Sequence, residues 1–79
     1  MKVYKIFYQD EYEHPNDIEI VKESAIVDYV NMLWKEGRIF DESIEIFLEK
    51  HPKKPQTESE AVELLELDGY FVDKVEVYE

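Results

Sequence analysis

The 79-residue sequence predicts a small α+β domain, with helices packed on one face of a short antiparallel sheet in the order β-β-α-α-α-β. Three observations carry this expectation. Both ends of the chain alternate apolar and polar residues with the period of a strand. The stretch after Ser24 carries one apolar stripe with the period of a helix. Thr57-Glu58-Ser59-Glu60 is a helix-start signature.

Taken in order, Val3 to Gln9 sets Tyr4, Ile6 and Tyr8 on one face and Val3, Lys5 and Phe7 on the other, and its aromatic and β-branched content suits a strand. Asp10 to Asp17 is polar and contains His14-Pro15-Asn16-Asp17, a turn signal. Ile18 to Val21 reads as a second strand, forming a hairpin with the first. Ser24 is expected to cap a helix in which Ile26, Tyr29, Val30, Leu33 and Trp34 face the core, closed by Gly37 in a left-handed conformation.

Residues 42–50 fit two patterns. Ile44, Phe47 and Leu48 suit a helix capped by Asp41, whereas Ile44, Ile46 and Leu48 alternate with Glu45 and Glu49 as in a strand. The acids Asp41, Glu42 and Glu45 suit the positive end of a helix dipole and favour the helix. His51-Pro52-Lys53-Lys54-Pro55 is a loop, because its prolines stop regular structure. In the last helix Ala61, Leu64 and Leu65 form the buried stripe, with Val62 or Leu67 beside it, and Asp68-Gly69 ends it. Tyr70 to Tyr78 reads as a closing strand with Val75 and Val77 inward and Glu76 outward.

Length and composition bound the rest. A chain this short buries only about 60% of its unfolded surface, but 44% apolar residues suffice for one core, and residues 1–79 are expected to form a single domain. The absence of cysteine removes disulfides and thiolate chemistry together, which points to the cytoplasm. No stretch has the length of a signal peptide's apolar run or of a membrane span.

The formal net charge of −11 argues against direct binding of nucleic acid or an anionic membrane, which would repel it. It suits a protein partner with a basic surface; the plainer reading is that it keeps the chain soluble. The sequence sets no oligomeric state. Acidity concentrates toward the C-terminus, where residues 57–79 hold eight acids against Lys74 alone. Glu60, Glu63 and Glu66 recur on the side of the last helix away from Leu64 and Leu65. With Asp68, Asp73, Glu76 and Glu79 they are expected to form an acidic, partner-binding face able to occupy a groove built for DNA or RNA. Tyr4, Tyr8, Tyr12, Tyr70 and Tyr78 make a second candidate patch, since Tyr is favoured at interfaces; packing at the core edge is the alternative.

No catalytic or cofactor site emerges. His14 and His51 stand 37 residues apart without ligand spacing, which leaves no metal site. Both glycines are explained as helix ends, so no phosphate-binding loop is available. Ser24, Ser43 and Ser59 have no neighbouring His to activate them, and a general acid needs burial that solvated Glu residues lack. The expectation is a binding protein, not an enzyme.

The opening Tyr4-Lys5-Ile6-Phe7-Tyr8-Gln9, followed by Asp10 and Glu11, resembles the N-terminal strand of the epsilon auxiliary subunit of bacterial RNA polymerase. Lys22-Glu23, and Thr57-Glu58-Ser59-Glu60-Ala61 leading to Leu64 or Leu65 and Tyr70, are similar to later parts of that family. The resemblance covers roughly a third of the chain; Asn31 to Pro55 has no counterpart, and the closing strand is shorter. It implies docking on polymerase and carries over no catalytic residue. Two functions follow as expectations: an acidic modulator or inhibitor of a nucleic-acid-handling enzyme, of the kind that phage inhibitors and DNA mimics represent, or an epsilon-like polymerase subunit. An interaction domain unconnected with nucleic acid is the third.

Overall fold

In the computed structural model, which describes residues 1–8 and 18–77, strand β1 (Lys2–Tyr8) lies between β2 (Glu19–Lys22) and β3 (Tyr70–Glu76), antiparallel to both. A 3₁₀ turn (Glu23–Ala25) leads into α1 (Ile26–Lys35), followed by α2 (Asp41–Lys50) and α3 (Glu58–Leu67). The expected α+β order and three-stranded antiparallel sheet are therefore present. The turn expected over Asp10–Asp17, the strand end at Gln9, and Tyr78 and Glu79 lie outside the described residues.

The core forms where the helices meet the sheet. Ile26, Val30 and Leu33 of α1, Phe47 of α2, and Ala61, Leu64 and Leu65 of α3 are all fully buried, and they close over Tyr4, Ile6 and Val21 of the sheet. Tyr29 and Trp34 border this cluster on α1. Trp34 meets Phe47 edge to face, with centroids 6.4 Å apart, a favoured aromatic geometry. Burial of each large apolar side chain contributes about 1.5–3 kcal/mol. The prolyl loop is tied down as well: buried Pro55 accepts a hydrogen bond from Asn31 Nδ2 at 3.1 Å.

Helix ends show which local signals prevail. Gly37, with φ of +71°, ends α1 by donating to Trp34 O while Arg38 N donates to Leu33 O, a Schellman closure. Gly69, with φ of +92°, ends α3. Thr57 caps α3 as expected, its Oγ1 accepting from Glu60 N and donating to Glu60 Oε2. Two expected caps are absent. Ser24 sits inside the 3₁₀ turn, one position too early to cap α1, which starts at Ile26 with Ala25 at its N-cap and no side-chain cap. Asp41 is the first helical residue of α2, one position too late to cap it.

The expected phase of the closing strand is also reversed. Its register sets Lys74 beside Tyr4 and Val72 beside Ile6, so Tyr70, Val72, Lys74 and Glu76 face the helices. Val75 pairs with Val3 on the opposite face, and Val77 is exposed. Alternation within one strand fixes which residues share a side but not which side is covered; the packing of Tyr4 and Ile6 decides that.

Candidate functional site

The acidic residues expected to share one face are dispersed. Asp68 is buried at the end of α3, where Oδ1 accepts from Phe40 N at 3.0 Å and from Ser43 Oγ at 2.9 Å. It supplies from another helix the acceptor that α2 lacks at its own N-terminus, and is therefore a structural residue. Asp73 lies on the open face of the sheet beside Lys5. Glu76 lies on the helix-facing side, 3.7 Å from the N-terminal ammonium. Glu79 is outside the described residues.

Three carboxylates of α3 are engaged within the fold. Glu60 takes part in the Thr57 cap, with Oε1 4.0 Å from His51 Nδ1. Glu63 Oε2 lies 3.0 Å from His51 Nε2. The His51 ring rests on Phe47 at 4.7 Å between centroids, so this half-buried histidine belongs to the α2–α3 contact rather than to open surface. Glu58 turns the other way, toward the sheet. It accepts from Lys74 Nζ at 2.7 Å and from the Tyr4 hydroxyl, while Lys74 also meets Glu23 at 2.8 Å. Glu66 is the member of the α3 series that remains exposed without an ion pair among the described residues.

Lys74 is thus held between two carboxylates and 5.5 Å over the Tyr4 ring. The hydrogen bond from Lys74, then that from Tyr4, holds the Glu58 carboxyl below its ordinary range, and bonding to Glu23 and Glu58 pushes the Lys74 ammonium up. Burial, then Glu58, pushes the Tyr4 phenol up. A groove of about 520 Å³ opens here between α3 and the sheet, lined by Tyr4, Glu58, Ser59, Val62, Val72 and Lys74. Its charges are mutually neutralised. A carboxyl held down is poorly suited to donate a proton near neutral pH.

The coherent acidic surface lies on α2. Asp41, Glu42, Glu45 and Glu49 are all exposed and fall within about 100° of arc at 100° per residue, on the side away from buried Ser43 and Phe47. None of the four forms an ion pair among the described residues. Just ahead of them Phe40 is 66% exposed, its backbone pinned by Asp68. The i, i+4, i+8 spacing of Asp41, Glu45 and Glu49 is a signal in the sequence, present in the favoured helical reading of residues 42–50.

Of the expected tyrosine patch, the described side chains are those of Tyr4 and Tyr70, and Tyr8 is placed only by its backbone pairing with Tyr70. Tyr4 is buried and Tyr70 packs against the core, while Tyr12 and Tyr78 lie outside the described residues. Among the described residues no group of three or more His, Asp or Glu side chains is placed to hold a metal ion, and no helix is long and apolar enough to cross a membrane. No protein-family model, curated protein or solved structure matches the chain.

Proposed function

We propose that this protein is a non-catalytic binding module that docks the acidic ridge of α2 on a basic protein surface. The observation that carries this reading is the set of four exposed carboxylates, Asp41, Glu42, Glu45 and Glu49, on one side of a helix and without an ion pair among the described residues. Carboxylates four residues apart stand about 6 Å apart along the helix, within two steps of a nucleic-acid strand at about 3.4 Å each. A groove shaped for phosphates therefore accommodates such a ridge. Phe40 adds a rigid aromatic anchor at its head, the kind of residue that concentrates binding energy.

The partner class is a nucleic-acid-handling enzyme whose basic channel the ridge enters in place of DNA or RNA, inhibiting or modulating it. Bacterial RNA polymerase, named by the resemblance of the first strand, is the first candidate. The test is capture from bacterial lysate at low and high salt, followed by competition with duplex DNA. A nucleic-acid enzyme released by salt and by DNA, and lost from the triple variant Glu42→Lys, Glu45→Lys, Glu49→Lys, supports the reading. Recovery of no such enzyme at either salt, or undiminished capture by the triple variant, refutes it.

A further inference from the structure

The start of α2 breaks a local rule. The N-cap position favours Ser, Thr, Asp or Asn, whose side chain satisfies a free amide of the first turn. Here it holds Phe40, in extended backbone with φ of −62° and ψ of 140°, and no side-chain cap bond forms. The ring stands outside the core cluster and is 66% exposed. Its main chain is fixed from both sides nonetheless. Phe40 N donates to Asp68 Oδ1 at 3.0 Å, Phe40 O accepts from Ile44 N at 3.1 Å, and the preceding Ile39 is buried. Capping is thus delegated to another helix, while a firmly held aromatic ring stands in solvent at the head of the ridge. A local preference given up with no gain inside the fold marks a position set by function.

We infer that Phe40 takes the place of a nucleobase, and that the surface α2 docks on is the single-strand channel of a nucleic-acid enzyme, not a duplex-binding groove. This rests on the docking reading above and narrows its partner. Proteins that hold single strands combine a positive track for the backbone with aromatic side chains on which bases stack, and stacking asks only for a π-face. A ring at the end of a row of carboxylates supplies both parts. Duplex readers address base edges chiefly through hydrogen bonds, which a phenyl ring cannot make. A duplex also carries its phosphates in two rows, across a major groove about 12 Å wide. Asp41, Glu45 and Glu49 form one row, about 12 Å long, with Glu42 beside it.

The test uses the enzyme captured through α2, with oligo(dT) and a duplex of equal nucleotide number as competitors at fixed salt. Oligo(dT) should release it at least roughly tenfold more effectively than the duplex, which competes through its phosphates alone. Phe40→Ser should weaken capture roughly tenfold, the scale of one lost base–aromatic stack. The salt slope should not change, because no phosphate-like charge is removed. The same variant puts a good capping residue at the N-cap, so its urea midpoint should not fall below that of the unmodified chain. A duplex that competes as well as oligo(dT), or full capture by Phe40→Ser, overturns the inference and leaves docking through α2 standing. A lowered urea midpoint in Phe40→Ser overturns it too, by making the ring part of the packing. Recovery of no nucleic-acid enzyme refutes the docking reading, and this inference with it.

Discussion

Helices α2 and α3 have the same length and the same number of acids, ten residues and four carboxylates each, yet they use their charge in opposite ways. On α3, Glu58 is bonded to Lys74 and Tyr4, while Glu60 and Glu63 turn to His51, leaving Glu66. On α2 no carboxylate has such a partner among the described residues. The difference follows from position in the fold. The helix α3 is packed against α1, α2 and β3 and buries Ala61, Leu64 and Leu65 completely, so its flanks face other elements. The helix α2 buries only Ser43 and Phe47, leaving its outer side to solvent. Local charge density says little about availability; what surrounds a helix decides it.

The strongest way to break this contrast is to empty the core beneath α3. Leu64→Ala should cost about 2–5 kcal/mol in chemical denaturation, as truncation of a fully buried leucine does; a negligible cost would mean that α3 is not the central helix. Next in size is the link between the two. Asp68→Ala removes the acceptor shared by Phe40 N and Ser43 Oγ and should cost about 1–3 kcal/mol. Hydrogen exchange should then rise in the first turn of α2 more than within α3, and equal loss of protection in both would contradict the assignment of Asp68 as a cap supplied from outside.

The caps sharpen the comparison further. Thr57→Ala should destabilise by about 1 kcal/mol, while Asp41→Asn should stay within about 0.5 kcal/mol, because only the former is a cap. The smallest expected effect is a change in acid sensitivity. Glu58 has a folded pKa below its unfolded value, so the unfolded chain binds a proton first as pH falls. The stability it contributes is present above the unfolded Glu value of about 4.3 and is lost as pH drops through the folded value. Glu58→Gln should therefore flatten the stability profile below about pH 4 in acid titration followed by circular dichroism; an unchanged profile would remove Glu58 from that role.

Much of the fold is legible in the sequence because its signals are local. The stripe from Ile26 to Trp34, the Thr57 cap and the two glycine closures depend on neighbours within one or two turns. The misreadings of Ser24, Asp41 and Glu76 have a common cause, which is that tertiary packing chose between locally equivalent options. The expected acidic face is dispersed for the same reason. Glu60, Glu63 and Glu66 have helical spacing whether or not His51 and the sheet stand nearby, and nothing local reveals that Asp68 turns inward toward Phe40. For α2 the helix is the favoured reading and the spacing of Asp41, Glu45 and Glu49 is present, but the greater density of acids after residue 57 points to α3 instead.

Because the first turn of α2 takes its acceptor from Asp68, it waits on a residue made eighteen positions after α2 itself ends. During synthesis the carboxylates of residues 41–49 emerge first, as a charged segment whose helical start has nothing to anchor it. Only when α3 arrives and docks is that start secured. A product truncated before residue 68 carries the same charges without the scaffold that aligns them, so the proposed docking ridge belongs to the chain that has been made through α3.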